Sequence, residues 1–282
     1  GMILACCATP ESDLVIEADI DVDDDFEGYP VRDFKGTVTE IVDLSPTIKG
    51  IHFELDDAID FQAGQYINLN IPGVDGSRAF SIANKPSENQ KLELHVRQVP
   101  GGAGTTYLHE ELKVGAELEV SGPYGQFFTR LSDPKGAIFI AGGSGLSSPQ
   151  SMIMEMIEKG DPREIYLFQG ARNVAELYNR EIFEALDQSH ENFHYIPALN
   201  APEEGDNWEG YNCFVHEAVN DYFDGKCDGH KAYLCGPPPM IDAAITTLMH
   251  GRLFERDIHM ERFYTAADGA EEQNKSALFK RI

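Results

Sequence analysis

The hydrophobic pattern changes near residue 132 of this 282-residue chain, and that change limits the folds open to it. Before it, short stretches rich in β-branched residues lie between proline and glycine turns, at 34–44, 48–55, 65–71, 92–99 and 117–121. Short strands at this spacing predict a small antiparallel β-barrel. After it, residues 137–141 are an unbroken apolar run, as expected of a parallel strand that is buried on both faces.

A glycine loop follows that apolar run. It consists of Gly142, Gly143, Ser144 and Gly145, and Pro149 then opens a helical stretch over 150–159. Strand, glycine loop and helix are together typical of a nucleotide-binding unit, although the full G-x-G-x-x-G fingerprint is absent. Further strands at 165–169, 193–196, 231–235 and 258–263 alternate with helices near 175–187, 214–223 and 240–250. We therefore predict a β-barrel domain at 31–131 and an α/β domain with a parallel sheet at 132–264, flanked by segments 1–30 and 265–282.

The chain is strongly acidic. Its 22 Lys and Arg residues and 48 Asp and Glu residues give a net charge of 22 − 48 = −26. A surface with this charge repels nucleic acid and anionic membranes, and it suits a basic protein partner. No apolar run reaches the ~18 residues of a membrane span. The five cysteines do not form a disulfide framework, so we expect a reducing, cytoplasmic setting.

The stretch 78–84 carries side chains suited to chemistry. Arg78 is a planar cation that fits a phosphate group, Phe80 offers an apolar face to a flat ring, and Ser81 offers a hydroxyl. On a strand, Arg78 and Phe80 would share one face, with Ala79 and Ser81 on the other. The alternative is an ordinary strand that contains one charged residue.

A second glycine-rich stretch lies further along the barrel half. It comprises Gly101, Gly102, Gly104, Thr105 and Thr106. Either threonine could cap a helix over 107–112, and glycines before a helix N-terminus leave backbone N–H groups available to an anion. Arg97 would add a cation beside Arg78. The alternative is a glycine hairpin followed by a surface helix.

A proline-rich turn ends the strand at 231–235. It reads Cys235, Gly236, Pro237, Pro238, Pro239 and Met240. The prolines stop the strand, and the helix over 240–250 follows. Taken alone, Cys235 fits a small buried hydrophobic residue.

Four signals thus follow one another along the chain, at 78–84, 97–106, 142–145 and 235–240. In that order they resemble the ferredoxin-NADP reductase superfamily of flavoenzymes. Within it they resemble the reductase components of bacterial multicomponent oxygenases, in particular phenol hydroxylase reductases. The resemblance covers nearly the whole chain. It implies that the barrel binds FAD, with contacts at Arg78, Ala79, Phe80, Ser81, His95, Val96, Arg97, Gly102, Gly104, Thr105 and Phe263. It implies a nicotinamide-nucleotide site at Gly142, Gly143, Ser144, Gly145, Arg172, Cys235, Gly236, Pro237 and Met240. Ser81, near flavin N5, and Cys235, beside the nicotinamide, are the implied catalytic residues.

The resemblance also implies a reaction. Hydride would pass from NADH to FAD, and the electrons would then pass to a [2Fe–2S] cluster and an oxygenase component, which binds the aromatic substrate. A 2′-phosphate on the nucleotide would require a cluster of cations. Because Arg172 and Arg180 lie near Glu176 and Glu181 in the sequence, we expect NADH rather than NADPH.

The N-terminal residues 3–16 resemble the end of a plant-type [2Fe–2S] ferredoxin, in which Cys6 stands where the fourth cluster ligand falls. The C-x4-C-x2-C loop that supplies the other ligands is missing. We therefore expect the cluster only in a full-length protein and no metal in this chain. The acidic run at 19–27 fits a linker.

Three alternatives remain. A stand-alone flavin or cytochrome reductase would share the fold, but the Cys6 segment argues against it. A nucleotide-binding regulatory protein could sense redox state without turnover. Finally, residues 190–194 match the zinc-protease pattern H-E-x-x-H, which requires both histidines on one helical face. Residues 193–196 alternate as a strand instead, which disfavours zinc.

Overall fold

The computed structural model describes residues 23–263. Its first half is a six-stranded antiparallel sheet in the order β4-β3-β6-β1-β2-β5. The strands are β1 (Arg32–Ser45), β2 (Ile48–Leu55), β3 (Tyr66–Asn70), β4 (Ser77–Ser81), β5 (Lys91–Arg97) and β6 (Glu117–Tyr124). Just beyond β4, Ile82 pairs with Leu94 of β5, so the two edge strands meet and the sheet closes. Alternate residues of β1, including Phe34 and Val38, point into the barrel core, as the period of two predicts.

The second half is a five-stranded parallel sheet in the order β11-β10-β7-β8-β9. Its strands are β7 (Gly136–Gly142), β8 (Ile165–Ala171), β9 (Phe193–Leu199), β10 (His230–Gly236) and β11 (Ile258–Arg262). Helices α2 (Ser147–Glu158), α3 (Arg180–Ser189), α4 (Val215–Tyr222) and α5 (Pro238–His250) connect them. Hydrophobic clusters cover both faces of the sheet, which explains the unbroken apolar run in β7. The predicted fold class, an antiparallel barrel followed by a parallel α/β sheet, is confirmed.

The parallel strand order changes direction at β7, whose neighbours are β10 and β8. In open α/β sheets, ligands bind in the crevice outside the carboxyl ends of the strands at such a point. The glycine loop 142–145 and the turn at 235–240 both lie there. The fold therefore brings two separate predicted motifs to one edge of the sheet.

Two local predictions were wrong. The helix expected at 107–112 with a threonine cap begins earlier, as α1 (Ala103–Thr106), with Gly102 at its N-cap and a π-helical turn over Tyr107–Glu111. The Thr105 hydroxyl instead accepts a hydrogen bond from the backbone N–H of Val99 (3.0 Å). The helix expected near 175–187 is also interrupted, because a short 3-10 turn (Val174–Glu176) precedes α3 and the intervening Tyr178 is buried.

The barrel and the α/β half share a continuous core. Ile48 and Ala63 of the barrel belong to the same buried cluster as Met152 of α2. The Ser151 hydroxyl of α2 donates a 2.6 Å hydrogen bond to the carbonyl of Asn84. Gly64, at φ +99°, lies so close to α2 that an added Cβ would be 2.3 Å from Met152 Cε. These contacts fix the two halves against one another.

Residues of the acidic run contact the junction of the two halves. Asp23 forms an ion pair with Arg130 (2.8 Å), and Phe26 stacks on Phe128 with ring centroids 5.7 Å apart. Cys6 and the predicted tail at 265–282 lie outside the described residues. None of the helices within residues 23–263 is long and apolar enough to cross a membrane.

Candidate active site at the junction of the two sheets

Two arginines at the barrel side of the junction are available to an anion. The Arg78 guanidinium donates only to backbone carbonyls, including those of Asp75 and Ser77 (3.0 Å each). Arg97, the last residue of β5, places Nη1 3.3 Å from where a Cβ on Gly143 would be. Within residues 23–263, neither arginine forms an ion pair, although the chain carries 48 acidic residues. Two uncompensated planar cations are the donor set that a diphosphate requires.

The glycine-rich loop before α1 lies directly against Arg78. A Cβ on Gly104 would be 3.1 Å from Ile71 Cδ1 and 3.4 Å from Arg78 Cγ. A Cβ on Gly102 would be 2.9 Å from Thr105 Oγ1. Glycine is therefore needed for the close approach of this loop, and its shape fits a cofactor phosphate held beside Arg78.

A second loop pair closes the other side of the junction. A Cβ on Gly145 would be 2.4 Å from the carbonyl oxygen of Cys235, and one on Gly142 would be 2.5 Å from Met240 Sδ. Gly143 and Gly236 have positive φ angles of +56° and +148°, which favour glycine. The glycine loop and the Cys235 turn thus pack backbone against backbone.

Four polar side chains from four separate elements meet at one carboxylate oxygen. Glu261 Oε2, from β11, accepts hydrogen bonds from the hydroxyls of Ser81 and Ser148 (3.1 Å each). The Cys235 thiol lies 3.7 Å from the same oxygen and 4.0 Å from Ser148 Oγ. Ser81 ends β4, Ser148 lies in the first turn of α2 and Cys235 lies near the end of β10. The two residues predicted to be catalytic, Ser81 and Cys235, are therefore linked through Glu261.

The environment of this cluster disfavours negative charge. Burial raises the pKa of Glu261, and the hydrogen bonds from Ser81 and Ser148 offset only part of that shift. Burial and the neighbouring Glu261 carboxyl raise the pKa of the Cys235 thiol well above its ordinary value. Cys235 is fully buried, and its raised pKa disfavours the thiolate form that a nucleophile requires.

Comparisons with known proteins agree with these two half-sites. A family model described as an oxidoreductase FAD-binding domain matches residues 35–129, and one described as an oxidoreductase NAD-binding domain matches residues 139–246. The chain is 66% identical over 280 residues to the phenol hydroxylase P5 protein of Acinetobacter pittii, covering 99% of this chain and 79% of that protein. The reductase component of phenol 2-monooxygenase from Pseudomonas sp. strain CF600 gives the same identity and coverage.

The chain belongs to the ferredoxin-NADP reductase family. Within that family it is an NAD(P)H-dependent flavin oxidoreductase, of the kind that serves multicomponent oxygenases. Its structure is similar to that of the ferredoxin reductase in carbazole 1,9a-dioxygenase, with a TM-score of 0.76, 26% sequence identity, and coverage of 84% of this chain and 70% of that one. The family resemblance predicted from the sequence is confirmed.

The other predicted flavin-site residues of this reductase lie along β4, β5 and the residue after β11. Ala79 is exposed, and half-buried Phe80 packs against the barrel core. The Val96 carbonyl accepts a hydrogen bond from His109 Nε2 (2.8 Å). The Phe263 N–H donates to the carbonyl of Gly236 (3.0 Å), which ties this residue to the Cys235 turn. Cofactor contact at each of these positions stays a prediction.

The remaining predicted nucleotide-site residues lie at the same edge of the parallel sheet. Ser144 is buried in the 3-10 turn that follows β7, and Pro237 is the N-cap of α5. Arg172 lies just past β8 and is held by Glu176 in an ion pair whose Nε–Oε2 distance is 3.0 Å.

The two histidines of the H-E-x-x-H pentapeptide lie in different elements and not on one helical face. His190 caps the C-terminus of α3, whereas His194 lies in β9 and pairs with Glu164 (2.8 Å). Across residues 23–263, no group of three or more His, Cys, Asp or Glu side chains is arranged to hold a metal ion. A turn at 191–192 and the start of the predicted strand, not a continuing helix, separate the two histidines.

Sequence reasoning missed several residues of this site. Neither Glu261 nor Ser148 is among the site residues predicted from the sequence. The buried Tyr178 and Gln150 and the half-buried Glu93, which join the two halves, gave no recognisable signal. Glu261 could have been found from its place at the end of the last strand, because strand ends at this edge meet.

Proposed function

We propose that this reductase transfers a hydride from NADH to bound FAD and passes the electrons on to a [2Fe–2S] centre and an oxygenase component that hydroxylates phenol or a related aromatic compound. The observation that carries the proposal is the meeting of Ser81, Ser148 and Cys235 at Glu261. It joins the barrel strand that fits FAD to the sheet edge that fits a nicotinamide nucleotide. The relatives that are named phenol hydroxylase components support the choice of oxygenase.

The barrel residues would hold FAD by its phosphates and its ring. Arg78, Arg97 and the glycine loop before α1 supply cations and close backbone for the diphosphate. Phe80 and Phe263 offer apolar faces, and Ala79, His95 and Val96 line the same two strands. Bound FAD supplies a two-electron acceptor that can release electrons singly. The residues of this chain supply its position and surroundings.

The nucleotide side requires close approach more than it requires acid–base chemistry. Hydride transfer needs reacting atoms held at roughly 3–3.5 Å. Gly145 packs directly against the Cys235 backbone, so no side chain of the glycine loop would separate a bound flat ring from the end of β10 at this point. Neutral Cys235 helps to exclude water, and the Ser81 and Ser148 hydroxyls hold Glu261 Oε2 in place. Because burial raises its pKa, Glu261 is suited to retaining a proton there.

We further propose NADH as the preferred donor. The guanidinium of Arg172, at the turn assigned to the adenosine ribose, is neutralised by Glu176. Asn173 of the same turn donates a hydrogen bond to Glu203 (2.7 Å), which brings a further carboxylate close. A 2′-phosphate would meet this negative charge unfavourably. The described cysteines, Cys213, Cys227 and Cys235, are free, which supports the cytoplasmic setting predicted from the sequence.

The proposal is tested by an anaerobic visible spectrum of the FAD-loaded protein before and after one equivalent of NADH. We expect an oxidised flavin spectrum that NADH bleaches within seconds and that NADPH bleaches far more slowly. A protein that does not take up FAD, or whose flavin NADH leaves oxidised, would contradict the proposal and favour a nucleotide-binding sensor.

The same assay resolves the role assigned to Ser81. We expect Ser81→Ala to slow flavin reduction at least about tenfold while the FAD content stays normal. The reason is that the Ser81 hydroxyl links β4, the strand proposed to bind FAD, to Glu261. Ser77→Ala, at the exposed start of the same strand, is the matched control and should reduce as fast as the unmodified protein.

A further inference from the structure

A largely buried chain of hydrogen bonds connects the barrel to the glycine loop of the α/β half, apart from the Glu261 cluster. Its centre is Tyr178, whose hydroxyl donates to the carbonyl of Gly143 (3.2 Å). The same hydroxyl lies 3.1 Å from Nδ1 of His95 in β5, and the two rings meet edge to face with centroids 5.2 Å apart. Tyr178 and His95 are both buried, at 3% and 4% exposure. One hydroxyl thus bridges a barrel strand and the dinucleotide loop.

The chain continues from His95 to helix α2. His95 Nε2 lies 2.8 Å from Glu93 Oε1, and that carboxylate also accepts a hydrogen bond from Gln150 Nε2 (3.3 Å). Asn179 Nδ2, in turn, donates to Gln150 Oε1 (2.7 Å). Although burial alone would raise it, the pKa of Glu93 is lowered, because its interactions with neighbouring side chains, His95 foremost and Gln150 among them, outweigh desolvation. Each polar group of this path therefore has a partner.

The backbone is shaped to place Tyr178 in this position. Asn179 adopts a left-handed conformation at φ +56°, and it separates the 3-10 turn from α3. The Tyr178 carbonyl accepts a hydrogen bond from Gln169 Nε2 (3.1 Å), which anchors the residue to β8. Packing alone would be served by phenylalanine, since a buried hydroxyl must be hydrogen-bonded to avoid a penalty. The hydroxyl therefore serves the contact across the junction.

We propose that Tyr178 and His95 are positioning residues, which hold the glycine loop in register with β5 so that the nucleotide bound by the loop meets the flavin bound by the barrel. Gly143 lies within the loop assigned to the nucleotide, and His95 lies two residues before Arg97, which is assigned to FAD. This inference rests on the proposed function. Within residues 23–263, neither side chain forms a hydrogen bond with Ser81, Cys235 or Glu261, so the effect acts through the backbone of the two binding elements.

The test replaces the hydroxyl alone. In the FAD-loaded protein, we expect Tyr178→Phe to lower the limiting rate of flavin reduction at saturating NADH by about three- to tenfold, the effect of one net hydrogen bond. The long-wavelength absorbance of the flavin–nicotinamide complex should weaken. FAD content and the NADH concentration at half-saturation should change little, and the melting temperature should fall about as much as in the control variant, which also loses a buried hydroxyl. Tyr195→Phe is the matched control, because this buried hydroxyl donates to Gln169 Oε1 (2.7 Å) within the α/β half and makes no contact across the junction.

Two variants of His95 distinguish the effect of its hydrogen bond to Tyr178 from the effect of changing the side chain at this position. Asn can place a polar atom where Nδ1 stands and keep the Tyr178 contact, whereas Gln reaches towards Glu93 and loses it. We expect His95→Asn to retain a faster limiting rate than His95→Gln. Equal limiting rates in the unmodified protein, Tyr178→Phe and Tyr195→Phe would overturn the inference while leaving the proposed function intact. Failure of NADH to reduce the unmodified protein would instead overturn the proposed function.

Discussion

At the scale of single residues, Glu261 shows how the fold changes the chemistry of an ordinary side chain. Its Oε2 atom accepts hydrogen bonds from Ser81 and Ser148, yet burial still raises its pKa. A carboxyl group with a raised pKa in the folded state binds a proton that the unfolded chain would release. Its contribution to stability is therefore present at acidic pH and is lost as the pH rises through the folded-state pKa.

We expect Glu261→Gln to remove this pH dependence. The amide oxygen can still accept from Ser81 and Ser148, and the side chain cannot ionise. The melting temperature should match that of the unmodified protein near pH 4.5 and exceed it by about 2–4 °C at pH 8, which corresponds to about 1 kcal/mol for a protein of this size. Calorimetry at both pH values measures this. Glu54→Gln, at an exposed position of β2, is the control. If the melting temperatures of Glu261→Gln and Glu54→Gln changed equally with pH, the prediction would be contradicted.

At the scale of elements, the glycine loop 142–145 and the turn at 235–240 pack so closely that they leave no space for a side chain at Gly145. Gly145→Ala would place a Cβ 2.4 Å from the Cys235 carbonyl oxygen, a distance that requires backbone movement. We expect a loss of about 1–3 kcal/mol in stability, typical of overpacking, and weakened NADH binding with FAD content retained. Gly205→Ala is the control, because nothing lies within 4 Å of a Cβ there. Normal NADH titration of Gly145→Ala would show that the two loops need not pack so closely.

The sequence predicted the elements better than their ends and contacts. β-strand alternation and the apolar run of β7 are local signals, and both the barrel and the parallel sheet follow from them. The start of α3 depends instead on Tyr178, whose partners His95 and Gly143 lie 83 and 35 residues away in the chain. Likewise, Thr105 is a residue type that often caps helices, but in the fold its hydroxyl accepts a hydrogen bond from the Val99 N–H instead.

The candidate site shows the same division. Arg78 and the glycine loops could be found because their residue types suit phosphate and close approach. The convergence on Glu261 could not, since Ser81, Ser148 and Glu261 come from three elements separated by up to 180 residues. Only the fold brings them to one edge of the sheet, and their roles with bound cofactors stay predictions.

At the scale of the whole molecule, the shared core predicts that both halves unfold together. Ile48 and Ala63 of the barrel pack in one cluster with Met152 of α2, and Ser151 Oγ donates to the Asn84 carbonyl across the junction. Cutting one buried hydrogen bond costs about 1–3 kcal/mol when its partner is left unsatisfied. If the halves form one cooperative unit, this loss must appear in both of them equally.

Ser151→Ala tests this, because each half has its own optical probe. Trp208, the only tryptophan of the chain, lies between β9 and α4 of the α/β half, and FAD release reports on the barrel. We expect one transition in the unmodified protein, and in Ser151→Ala an equal fall in the midpoints of both signals. Ser132→Ala, which removes a hydroxyl that contacts Asp25 on the exposed surface, is the control. Should the tryptophan signal fall while FAD release stays at its original temperature, the two halves would be independent units, and the rigid register that the hydride-transfer proposal requires would have to come from bound nucleotide instead.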